Sequence, residues 1–128
     1  GLNIVKRSMF KEAGFYFDEN FTIWGDDWDY GMRLLQAGAI IYYQPKILVE
    51  HLPSYSGGQR DKSNFLNVDV EKRKLYFYFI HKHFSSTVIK HEIFFSFLIS
   101  LKLMFLKRDF KGFKNNILAY NKFKTMLK

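Results

Sequence analysis

Gly38-Ala39-Ile40-Ile41-Tyr42-Tyr43-Gln44-Pro45-Lys46-Ile47-Leu48-Val49-Glu50-His51 is the stretch on which the fold class turns. Two short runs, Ala39 to Tyr43 and Lys46 to Glu50, are rich in β-branched and aromatic residues. Each has the length and composition of a buried strand. Pro45 separates them, because proline has no N–H to give to a sheet ladder. The second run delivers His51 at its end, and strand ends are where open α/β sheets place ligands. The reading at this point is two strands set between helical segments.

Immediately upstream, Asp26, Asp27 and Asp29 follow Gly25. There Trp28, Met32 and Leu35 begin to recur at helical spacing, and Gly38 stands where a helix would stop. Aspartate suits the first turn of any helix, where it meets free N–H groups and the positive end of the dipole. One acid would need no further reason. Three in four positions, flanked by Trp24 and Trp28, repel and raise one another's pKa, as acids at a functional site do. Both readings, a helix start and a site, stand at this point. Further back, residues 3 to 7 suit a short strand. Ser8 suits the cap of a helical turn that Gly14 ends, and Asp18-Glu19-Asn20 reads as an acidic turn.

Downstream, residues 53 to 64 are rich in turn formers and polar groups and read as one mobile loop, either a lid or an ordinary connection. A helix is expected from Asp69 to about Phe84. Residues 87 to 108 form a very apolar helical segment interrupted by Lys102, whose uninterrupted part falls short of the roughly 20 residues that span a bilayer. A last amphipathic helix follows Gly112, with Phe113, Ile117, Tyr120 and Leu127 on one face and lysines elsewhere. These two helices suit a protein core or a membrane surface.

The 128 residues give room for one ordinary domain's core. With no cysteine, disulfides and thiolate metal sites are excluded, and any metal must be held by oxygen or imidazole. The net charge of +8, with lysines dominant from residue 72 onward, points to an anionic partner. An anionic membrane surface and a phosphate-bearing ligand fit. Nucleic acid is set aside, because the acids cluster where a phosphate backbone would be repelled and no reader motif is present. The opening Gly-Leu-Asn-Ile-Val-Lys-Arg lacks an initiator Met and a secretion address. The expectation is a cytoplasmic segment of a longer chain, peripheral at the inner face of the plasma membrane.

The ordered set Arg7, Gly14, Phe17-Asp18-Glu19, Gly25-Asp26-Asp27-Trp28-Asp29, Arg33, Gly38, Pro45 and His51 resembles the second half of family 2 glycosyltransferases. The likeness is to the rhamnosyltransferase-like branch, whose chains read Gly-Gly-Phe-Asp-Glu, a spacer, Glu-Asp-x-Asp-Leu, then Arg, Gly and a strand ending in His. It covers roughly residues 1 to 84. Asp26 stands where Glu is usual, Tyr16 where a second Gly is common, and Tyr30 where Leu is common.

The resemblance implies the acceptor-side half of a GT-A fold, a Rossmann-like α/β sandwich, over residues 1–84, with residues 85–128 as a C-terminal helical extension. The implied activity is inverting transfer of a sugar from a nucleotide-sugar donor to a saccharide or lipid-linked acceptor in bacterial surface polysaccharide synthesis. Asp27 matches the general base, with Asp26 beside it; Asp29, Trp28 and Trp24 are expected to meet the acceptor. His51 matches a contact to a divalent metal, Mg or Mn, and the donor diphosphate. Charge and flexibility add Arg60, Gly57 and Gly58 as donor-phosphate contacts. The family's Asp-x-Asp half lies upstream, so this portion alone is expected to be inactive. An uncovered half-domain would expose an apolar patch, so a homodimer is expected. The alternative is a non-catalytic module that binds a membrane surface or a glycan.

Overall fold

The computed structural model describes residues 6–14, 17–42, 44–48 and 65–128. Among these the regular elements are all helices: α1 Arg7–Ala13, α2 Asp26–Gln36, α3 Phe65–His83, α4 Ser86–Lys107 and α5 Phe110–Met126.

The expected α/β sandwich is thereby corrected. Residues 39–42 and 46–48 form no strand, and Pro45 stands in a turn in which the Ile47 N–H donates to the Gln44 carbonyl at 3.3 Å. A β-rich run becomes a strand only when a neighbour accepts its ladder and other layers cover its faces. No neighbouring strand exists among the described residues, and Ile40, Ile41, Tyr42, Ile47 and Leu48 all lie exposed. The strand expected at residues 3 to 7 fails at its described end, since Arg7 already begins α1.

The centre of the molecule is α3. Leu75, Phe77, Phe79, Ile80 and Val70 are buried there, together with Phe21, Ile89 of α4, and Ala119 and Phe123 of α5. Each large side chain so buried contributes about 1.5–3 kcal/mol. The run Leu75-Tyr-Phe-Tyr-Phe-Ile alternates like a strand yet is helical, because neighbours pack around the whole circumference of α3. The tyrosines between the buried residues reach polar partners: Tyr76 donates to Glu92 at 2.9 Å and Tyr78 to Asp18 at 3.0 Å. This core crosses the boundary expected between residues 84 and 85, so α3, α4 and α5 are one packed unit.

Local chemistry sets the helix ends. Ser85 caps α4, its Oγ accepting from the Val88 N–H, and Arg108 closes it in the left-handed region at φ 54°. Asp109 then caps α5 by accepting from the Gly112 N–H at 2.8 Å. A side chain at Gly112 would collide with that carboxylate, so α5 starts at Phe110 with the glycine inside it. No helix among the described residues is long and apolar enough to cross a membrane.

Candidate functional site

The site is built around α2. Gly25 precedes it with φ 91°, a conformation that glycine adopts without strain, and Phe21 packs where a side chain there would begin. The helix then presents three directions. Tyr30 and Leu34 are buried against Met9, Ala37 and Ala39 on the α1 side. Asp29 is buried on the α3 side, and Asp26 and Asp27 face solvent. The expected apolar face of Trp28, Met32 and Leu35 is not the buried one, since Trp28 and Leu35 are each about half exposed.

Asp29 is fully buried, and its carboxylate is committed. Oδ2 accepts from Arg33 Nε at 3.0 Å, while Oδ1 accepts from Lys82 Nζ at 2.7 Å and His83 Nε2 at 2.8 Å. With Nε2–H on Asp29, His83 Nδ1 is left to accept from Gln36 Nε2 at 3.4 Å. Lys82 also reaches Asp18 Oδ2 at 2.7 Å, and Asp18 Oδ1 accepts from the backbone and side-chain N–H groups of Asn20. Arg33 continues to the Gly14 carbonyl and lies over the Tyr30 ring. Two carboxylates and the cations around them therefore join α2, the turn before it and α3.

Burial alone would raise the Asp29 carboxyl. Hydrogen bonds from Lys82, His83 and Arg33 outweigh it and hold the group below the usual carboxylate range. The mutual raising expected for the acid cluster is thus reversed at its third member. Asp18 follows the same balance: burial opposes ionisation, but Lys82, Asn20 and Tyr78 bring it down to about 2. Lys82 answers in the opposite sense, its burial outweighed by Asp18 and Asp29, so its ammonium is held above the usual lysine value.

Asp26 and Asp27 stand at the exposed first turn, where Asp27 Oδ1 accepts from the Trp28 N–H at 2.9 Å. Trp24 and Trp28 meet edge to face with centroids 4.5 Å apart, and Trp28 in turn leans on Phe79 at 5.8 Å. The result is a surface of two carboxylates beside a paired indole platform. Carboxylates accept from hydroxyls, and indole faces cover apolar C–H surface. Asp29, expected at the acceptor, instead holds the helix.

The expected donor-side residues His51, Gly57, Gly58 and Arg60 lie outside the described residues. Among those described, no group of three or more His, Asp or Glu is placed to hold a metal ion. The residue matched to the Mg or Mn ion by the resemblance, His51, lies outside that set. Lys82 and His83 are the residues that sequence reasoning missed. Comparison with protein-family models, with curated proteins and with solved structures finds no match.

Proposed function

We propose that the first turn of α2, from Trp24 to Trp28, binds a saccharide acceptor and that Asp27 is its general base. The activity is the acceptor side of an inverting glycosyltransferase using a nucleotide-sugar donor, in surface polysaccharide synthesis. The observation that supports this reading is the division of labour among the three acids. Asp29 is locked to Arg33, Lys82 and His83, while Asp26 and Asp27 stay exposed beside the Trp24 and Trp28 rings. Helix capping alone does not ask for an ionic anchor under the turn or for paired indoles over it.

In the proposed step, an acceptor hydroxyl donates to the Asp27 carboxylate while its ring rests on the indoles. Its oxygen forms the bond to the anomeric carbon as the bond from that carbon to the nucleoside diphosphate breaks. The proton passes to Asp27, and the diphosphate departs with the bonding electrons. Asp26 accepts from a second hydroxyl and fixes the orientation. A rigid turn matters here, because small misplacements of the reacting groups cost large factors in rate.

Titrating this chain with neutral oligosaccharides while following tryptophan fluorescence tests the binding. A saturable change that Trp28→Ala abolishes is expected; no response across mono- to tetrasaccharides of several classes overturns the reading. Binding by Asp27→Asn at unchanged affinity, with sugar transfer abolished in the longer protein that the resemblance implies, separates a transferase from a glycan-binding module.

A further inference from the structure

Beyond α3 in the chain, α4 shows an apolar face to solvent. Phe94, Phe95, Leu98, Phe105 and Leu106 recur along one side of the helix over about 18 Å, with Lys102 among them. Phe105 and Leu106 are 73% and 71% exposed, and Phe110 beyond the turn is 64% exposed. The opposite side of α4 is spent on the core. Ile89 and Ser100 are buried there, Phe97 meets Phe113 and Tyr120, and Ser96 bonds Asn116. A helix that is apolar around its whole circumference is one that meets a nonaqueous neighbour on each side.

The charge around this face selects the neighbour. Residues 86 to 128 carry nine Lys and Arg and only two acids, Glu92 and Asp109. Both acids are occupied: Glu92 accepts from Tyr76, and Asp109 caps α5. Lys107, Arg108 and Lys111 stand beside Phe105, Leu106 and Phe110 in the chain on either side of the tight turn at Arg108, and all six are exposed. A second copy laid face to face by a two-fold axis would bring cations against cations with no free acid on this surface to answer them. Anionic lipid headgroups answer them, and the acyl boundary beneath accepts the aromatic and aliphatic side chains. Lys102 can extend its ammonium from within the stripe to the headgroups while its stem stays in apolar contact.

We propose that the outward face of α4 and the α4–α5 turn form a docking surface for an anionic lipid bilayer, with the helix lying along the interface and Phe105, Leu106 and Phe110 entering it. This surface uses none of the residues of the α2 turn and stands independently of the saccharide reading. If both hold, the acceptor site is kept at a membrane.

Cosedimentation of the chain with vesicles is the test, using phosphatidylcholine alone and phosphatidylcholine mixed with phosphatidylglycerol, at low and high salt. Binding to the mixed vesicles that weakens with salt is expected. The pair Phe105→Ser with Leu106→Ser should lower the partition coefficient about tenfold or more. The pair Lys107→Glu with Lys111→Glu should remove the preference for anionic vesicles. All four positions are exposed, so both variants should keep the wild-type far-UV spectrum and melting temperature, which is checked alongside. A chain that ignores the mixed vesicles overturns the proposal, whether it sediments as a monomer or as a dimer joined through this face. So does vesicle binding that a short DNA duplex competes away and that the Phe105 and Leu106 changes leave intact, since that describes a general polyanion patch. The fluorescence response to oligosaccharides reads the α2 turn and is unaffected by either outcome.

Discussion

Asp29 and His83, 54 residues apart in the chain, meet at 2.8 Å through a carboxylate and a ring nitrogen that are both almost wholly buried. Lys82 joins them from the same turn of α3 and reaches back to Asp18. The position of α2 relative to the α3–α5 unit thus depends on a buried ionic junction, with Phe21, Trp24 and Trp28 packed around it.

Asp29→Asn is therefore expected to destabilise the fold by about 3 kcal/mol, because it keeps the shape but removes the buried negative charge that Arg33, Lys82 and His83 share, leaving Asp18 as the carboxylate on Lys82. Urea denaturation followed by circular dichroism measures it. A midpoint within error of wild type would mean that the junction is not what holds α2.

The same junction sets the acid limit. The Asp18 carboxyl lies at about 2 in the folded chain against an ordinary value of 3.8, and Asp29 is shifted in the same direction. A carboxyl lowered by folding contributes stability that is complete above about pH 4 and drains away as pH falls toward 2. Lys82 is raised above 10.5, so its share is complete below that value and is lost as pH climbs through the raised one. Stability should be flat near neutrality and fall on both sides. In Asp18→Asn the acid limb should be shallower; an acid limb parallel to wild type would assign the loss to other carboxylates.

Inside the helical trio, Asn116 is fully buried. Its Nδ2 donates to Ser100 Oγ at 3.1 Å, and its Oδ1 accepts from Ser96 Oγ at 3.1 Å. Asn116→Ala opens a gap and removes both bonds between α5 and α4, with an expected cost of about 2 kcal/mol. Ser100→Ala strands only the Asn116 amide and should cost about 1 kcal/mol. The double variant should cost less than the two singly, since they share one bond. Full additivity in thermal melts would show that the pair is not coupled.

The helices were legible where punctuation was local. Gly14 and the Asp-rich turn after Gly25 mark real boundaries, whereas Ser85, which caps α4 one residue before its start, was not read as a cap. Asp109 was missed as a cap because Gly112 looked like the start of α5, when it is the glycine that makes room for Asp109. Residues 39–42 and 46–48 misled for a different reason: β composition describes a surface waiting for partners, and whether partners exist is a tertiary fact. The pairing of Asp29 with Arg33 at i, i+4 was open to reading. Its pairing with His83 was not, since no periodicity links positions 54 apart.

Asp27 decides between a capped helix start and a chemical site. If its carboxylate serves only the α2 dipole, Asp27→Asn costs about 0.3–1 kcal/mol and changes nothing else. As the base, the same substitution keeps nearly all the stability, because the residue is exposed and the junction below is untouched. It leaves the Trp24 and Trp28 platform able to bind, and it takes away the group that accepts the proton. The expected result is a melting temperature within a few degrees of wild type, an unchanged fluorescence titration with oligosaccharide, and loss of transfer by a factor on the order of 100 or more in the longer protein. Asp29→Asn should show the reverse order, with stability failing first. Near-normal transfer by Asp27→Asn would remove Asp27 from the role and leave Asp26, one residue earlier on the same exposed turn, as the acid to test.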